Sequence, residues 1–492
     1  MTKEEREKCL QKNGGSWRPC MPFELNMSPY CGTINFEDFD VARSDSEIDL
    51  ISIADLLRNG FVYPPHSVYR NLKIHTFGFD KNQNQHTNPS YKFPFYNGFS
   101  RAPKAIGSID SFISEYHRLL CAGVRVSSEK MNHPWLLQSG GKDSTSMAIA
   151  VSEVRPDTSC ITYLGGPEED EVASAREVAN RLGLHHEALV CNPSRAYESY
   201  LSLVGRMPLL TADFALLSYA DLLTQIDVGN GDGVLDGLGS DVYFGTPVRL
   251  QQRVLNALAL GVRLPPSIFD WGLVRRRFKL CYVLSTLQMK SFERFYPGSR
   301  FSNEEVDEIL GQPHAERSSQ RLELFRAEID RAGTSADRRA LAVSVFEASG
   351  AFAKGLFTAS ALGMKISFPF CNLHLAEWVF HNVPQSLRVD PKTHCGKVLV
   401  REHIRKVFEE LPYVSNKGSF RFDLCGLARQ CYDQVHSFAC DGRDIMPGAV
   451  GWLERNRFNF NNKYFASKFY LLAVVLPWLI ERNKKNKLLK SS

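Results

Sequence analysis

Between the apolar run PWLLQ and the helical run STSMAIAVSEV the chain reads Ser139-Gly140-Gly141-Lys142-Asp143-Ser144. Paired glycines let backbone N–H groups come close to an anion, and the start of a helix adds partial positive charge. Ser139, Ser144 and Thr145 bring hydroxyl donors to the same turn. Asp143 would repel a bare phosphate, so its presence points to phosphates that carry Mg2+. The chemistry these residues suit is the cradling of a pyrophosphate, as part of a nucleotide. A Gly-Gly turn with a serine N-cap needs no ligand, but the strand–loop–helix setting favours one. The spacing differs from a Walker A loop, which disfavours kinase-type and GTPase chemistry.

A loop of this kind must be held by a strand before it and a helix after it. PWLLQ reads as a buried strand, STSMAIAVSEV as a helix and SCITYLG as a second buried strand. EVASAREVANRLG then places Val172, Ala175, Val178, Ala179 and Leu182 on one helical face, with Gly183 as the stop. HHEALVC reads as a third strand. The expected fold class is α/β, a doubly wound parallel sheet in which ligands bind at the carboxyl ends of strands. Residues 1–110 have another texture, rich in Asn, Pro, Phe and Tyr, with one short helix in DLISIADLLRNGF. The expected organisation is a smaller α+β N-terminal domain over 1–110 and a nucleotide domain over 111–492.

The 492 residues carry a net charge of +5, mild for this length and without a basic stripe, so no nucleic-acid partner is expected. MTKEEREKC has no apolar segment behind it, and FYLLAVVLPWLI is shorter than a membrane span and contains Pro477. That run is expected to form a buried terminal helix, with no membrane partner. The 12 cysteines include no CxxC pair, and evenly spaced Cys9, Cys20 and Cys31 read as incidental thiols. A cytoplasmic location fits these features.

The loop resembles the Ser-Gly-Gly-x-Asp-Ser signature of the ATP pyrophosphatase (PP-loop) superfamily, whose members split ATP into AMP and pyrophosphate. Further segments are similar to its asparagine synthetase branch, which includes β-lactam synthetases and lasso-peptide cyclases. VLDGLGSDVYFG resembles the branch's second signature, and GKVLVREHI followed by NKGSF matches two later elements in the right order. ALGMKISFPFCNLHLAEWV and the upstream NGFVYPPHSVYRNL resemble two more. The resemblance implies an adenine nucleotide alpha hydrolase-like synthetase domain that uses ATP and Mg2+. It implies that Ser139, Gly140, Gly141, Lys142, Asp143, Ser144, Gly237, Gly239, Ser240 and Asp241 hold the nucleotide, with Asp143 and Asp241 on the metal. It implies catalytic cations at Lys417, in NKGSF, and at Lys397. Asp170-Glu171 matches an Asp-Glu pair of the family, or complements a helix dipole.

Three departures shape the expected function. Thr2 stands where amidotransferase members have a nucleophilic cysteine, and the N-terminal part is shorter than a glutaminase domain, so it reads as a reduced remnant that does not hydrolyse glutamine. Leu238 replaces the glutamate of the second signature and cannot act as a base; Asp236, Tyr243 and Glu347 are the replacements in view. Lys365, Ser367 and Asn372 replace Glu, Arg and Asp of asparagine synthetases, which argues against aspartate as the acyl substrate. The expected activity is an ATP-dependent carbon–nitrogen ligase that adenylates a carboxylate, releases pyrophosphate and transfers the acyl group to an amine. Its substrates would be small molecules or peptides, closure of a lactam included, in natural-product (antibiotic) biosynthesis, with a homo-oligomer or a pathway partner compatible. The alternatives are an RNA-modifying ATP pyrophosphatase, which Lys142 suggests, and a non-catalytic nucleotide-binding homologue.

Overall fold

The computed structural model describes residues 23–36, 39, 47–76, 80–81, 91–92, 107–165, 169–226, 232–244, 250–290, 292–293, 300–332, 335–410 and 422–491. Its centre is a five-stranded parallel sheet. The strands are β1 (Pro134–Leu137), β2 (Ser159–Leu164), β3 (His185–Val190), β4 (Gly233–Leu235) and β5 (Lys365–Ser367), in the spatial order β3-β2-β1-β4-β5. The chain builds outward from β1 to β3, then returns to the other side of β1. The order therefore reverses between β1 and β4, where open α/β sheets bind ligands at their carboxyl ends.

Every residue of β1, β2 and β4 is buried, as expected of strands covered on both faces, whereas edge strand β3 has only exposed and half-buried positions. Register pairs Leu136 with Cys160 on one side and with Leu235 on the other. The loop after β1 and the loop after β4 thus leave the sheet side by side.

The helices that position the site are α1 (Leu50–Asn59), α2 (Ile109–Ser128), α3 (Lys142–Val154), α4 (Glu169–Arg181), α5 (Ser240–Tyr243), α6 (Val398–Phe408) and α7 (Lys463–Ser491). Helix α3 follows the glycine loop directly. Helix α4 buries Ala175, Val178 and Ala179, and the chain turns away at Gly183 with φ +71°. FYLLAVVLPWLI lies inside α7, and every residue from Phe469 to Ile480 is buried. By length and composition alone, Lys463–Lys485 could cross a membrane, as could Asp337–Leu362, so the apolar run continues into a longer helix than it suggests; most of each is buried inside the protein.

The described part of the N-terminal region joins the same core. Phe23–Asn26 pairs in parallel with Leu72–His75, and α1 is capped by Asp49 and ended by Gly60 at φ +85°. Arg321 binds Asp49 and Asp55, Arg58 binds Glu293, and the Phe368 amide donates to the Cys31 carbonyl at 2.8 Å.

Candidate active site

The glycine loop forms where β1 ends and α3 begins. Ser139 and Ser144 close it: the Ser144 hydroxyl lies 2.9 Å from Ser139 Oγ and accepts from the Ser139 N–H at 3.0 Å. Thr145 Oγ1 donates to the Gly141 carbonyl at 2.9 Å, and Ser144 Oγ donates to the Ser139 carbonyl at 2.8 Å. The Ser144 and Thr145 hydroxyls, expected as phosphate donors, are thus turned toward the loop's own backbone. At the N-cap, Gly141, no side chain caps α3, so the helix start keeps its positive end for an anion. Glu171 is buried and accepts from the Gly140 N–H at 3.2 Å. A Cβ on residue 140 would fall 2.8 Å from Glu171 Cγ, so that position has room only for glycine.

The second loop, Asp236 to Ser240, follows β4 and lies against the first. A Cβ on Gly237 would meet the Ser144 N at 3.6 Å. Gly239 takes φ +104°, a left-handed conformation that suits glycine, with Cys371 Sγ 3.0 Å from where a Cβ would sit. This turn starts α5 and brings Ser240 and Asp241 to face Asp143.

Lys397 joins the two loops. Its ammonium lies 2.8 Å from Asp143 Oδ1, 2.7 Å from Asp241 Oδ1 and 2.6 Å from Ser240 Oγ. Its side chain is 3% exposed, against 48% for Asp241, so the cluster opens to solvent on the Asp241 side. Burial disfavours the charge, but Asp143 and Asp241 outweigh it and hold the ammonium well above the usual lysine range. Lys142, beside them, is pushed below that range by burial, with Lys397 and Arg401 adding to the shift.

The backbone shows what holds Lys397 there. It is the N-cap of α6 with φ 60° and ψ 45°, a strained region for a residue with a Cβ, and its N–H donates to the Arg388 carbonyl at 2.6 Å. Helix α6 is pinned to α3 by Ser146 Oγ, 3.0 Å from His403 Nδ1, and Tyr116 OH lies 2.7 Å from the same oxygen. This supporting set was missed in the sequence, because Ser146 and His403 are 257 residues apart.

Of the base candidates, Asp236 is buried and accepts from Tyr219 OH at 2.5 Å and from the Leu238 N–H at 3.1 Å. Tyr243 is buried edge-on against Phe380. Glu347 begins a π-helical turn, Glu347–Ala351, between two α-helices, a device common at functional sites. The side chains of Glu347 and Asp170 lie outside the described residues, as do Lys417 and Thr2.

One of the three substitutions read against aspartate falls away from the site. Lys365 starts β5, at the opposite end of the sheet from the loops, and donates to the Lys130 carbonyl. Asn372 caps the helix Leu373–Asn382, accepting from the His374 and Leu375 amides. Ser367 stands at the carboxyl end of β5, its carbonyl accepting from the Asp236 N–H at 3.0 Å, and Asn372 follows Cys371, whose sulfur packs against Gly239 of the second loop.

Asp143 and Asp241 fit a Mg2+: two hard carboxylate oxygens from separate loops converge beside an uncapped helix start, leaving the remaining positions to phosphates and water. No curated protein sequence matches the chain. The family model described as asparagine synthase matches residues 136–425, from the first strand through both loops and Lys397, and the chain belongs to that family.

Proposed function

We propose that this protein activates a substrate carboxylate with ATP, releases pyrophosphate and passes the acyl group to an amine. Its family makes it an ATP-dependent ligase of the synthetase type. The finer reading rests on one observation: Asp143, Asp241 and Lys397 meet beside the glycine loop at the reversal point of the sheet.

Each residue then has a task. The Gly140-Gly141 turn and the start of α3 receive the pyrophosphate end of ATP through backbone amides and the helix dipole. Asp143 and Asp241 would hold Mg2+, which when bound supplies charge compensation for the leaving pyrophosphate. Lys397 keeps the two carboxylates at one point and offsets part of their charge. The carboxylate oxygen of the substrate attacks the α-phosphorus, the bond to the β-phosphate oxygen breaks, and pyrophosphate departs. The amine nitrogen then attacks the acyl carbon, loses a proton and expels AMP. Lys417 is assigned the cation that stabilises charge growing on the α-phosphate and the tetrahedral oxygen. Substrates are small-molecule or peptide carboxylates and amines, intramolecular lactam closure included, in natural-product assembly.

The test is incubation of the full chain with Mg-ATP and pooled carboxylates and amines, followed by mass spectrometry. An amide product lighter by one water than its two parts, formed in step with AMP, is expected. ATP turnover that no carboxylate stimulates would contradict the reading.

A further inference from the structure

His117 and Cys121 stand four residues apart on α2, so both project from one face. Glu153, in the last turn of α3, reaches the same point. His117 Nε2 lies 2.8 Å from Glu153 Oε2 and 3.4 Å from Cys121 Sγ, and the three donor atoms are all within 4.8 Å of one another. Zinc bonds of about 2.0–2.3 Å place neighbouring donors of a tetrahedral ion roughly 3.3–3.7 Å apart. The three side chains are therefore close to ligating distance as they stand.

The other ring nitrogen of His117 is also engaged. Nδ1 lies 2.9 Å from His403 Nε2, and the chain of contacts continues from His403 Nδ1 to Ser146 at 3.0 Å. If Nδ1–H donates to His403, Nε2 presents its lone pair to the space shared by the thiol and the carboxylate. A partner on the far nitrogen is how metal-binding histidines are usually oriented. His117 is 28% exposed and Glu153 65%, so the fourth position faces solvent and can take water.

We propose that His117, Cys121 and Glu153 form a site for one divalent transition-metal ion of the zinc class. One nitrogen, one sulfur and one carboxylate oxygen suit zinc and disfavour Mg2+ and Ca2+, which separates this site from the carboxylates of the nucleotide loops. The ion replaces the thiol proton of Cys121, which passes to solvent, and any proton between Nε2 and Glu153. It clamps the end of α3 to α2 and, through His403, to α6, the helix that begins at Lys397.

The experiment is titration of the chelator-treated full chain with Co2+, followed by optical absorption. One equivalent should give a sulfur-to-cobalt charge-transfer band with the visible bands of a four-coordinate ion, and Zn2+ should displace both. Cys121→Ser should lose the charge-transfer band, and His403→Gln should keep it with affinity weakened about 10–100-fold. Absence of the band in the wild-type protein at equimolar Co2+ would overturn the site. So would an undiminished band in Cys121→Ser.

Discussion

Lys397 carries one positive charge between two carboxylates, in a backbone conformation that costs free energy, and both facts mark it as more than a surface lysine. Lys397→Met keeps the bulk and removes the charge, leaving Asp143 and Asp241 to repel each other. The expected result is a fall in kcat of about a hundredfold, as for removal of a preorganised donor. Stability to urea should also fall, toward the lower end of the about 3–5 kcal/mol typical of a broken buried pair, because Asp241 is half-exposed. A change in KM with kcat preserved would assign Lys397 to ground-state binding instead. Asp143→Asn and Asp241→Asn should each abolish turnover with an unchanged circular dichroism spectrum; near-normal rates at low Mg2+ would remove that residue from the metal site. The residue types of this cluster were legible in the sequence, since glycines, aspartates and a lysine stand in a recognisable order. Their mutual contacts were not: Lys397 and Asp143 are 254 residues apart, and nothing in a linear pattern shows that one ammonium bridges two loops.

Helix α3 and the loop before it were the clearest elements to read, because a buried apolar strand, a glycine turn and a longer helical run follow one another within a few residues, although α3 is buried without a break from Ser144 to Val151. Strands β4 and β5 were not read, since three residues each carry no usable period and their partners lie far along the chain. The helices between α5 and β5 were likewise unread, and the π-turn at Glu347–Ala351 has no sequence signature. The need for glycine at 140 became visible only when α4 brought Glu171 to the loop. Gly140→Ala should push Glu171 off the loop amide, at a strain of about 1–3 kcal/mol. Measured as KM for ATP, the effect should be at least tenfold; an unchanged KM would mean that the loop does not contact the nucleotide.

Across the whole molecule, one hydrophobic core joins the sheet, α7 and the described N-terminal segments, so distant charges report on global stability. His66 Nδ1 accepts from the Lys73 ammonium at 3.0 Å, and burial, with Arg321 and Lys73 nearby, pulls its pKa down from 6.5 to about 3. Held neutral when folded, it binds a proton more readily when unfolded. Its contribution is complete above pH about 6.5 and is lost as pH falls toward about 3, by about 1.4 kcal/mol per pH unit in that window. His66→Gln should flatten this part of the profile of melting temperature against pH, and an unchanged slope would contradict the assignment.

The central claim is that ATP is opened at its α-phosphorus by a carboxylate, and one measurement addresses it directly. A carboxylate that supports turnover is labelled with heavy oxygen, and the phosphorus products are read by NMR. The account predicts AMP and pyrophosphate in equal amounts, with the label in AMP and both products lost in Asp241→Asn. ADP and inorganic phosphate, or AMP without the label, would contradict it.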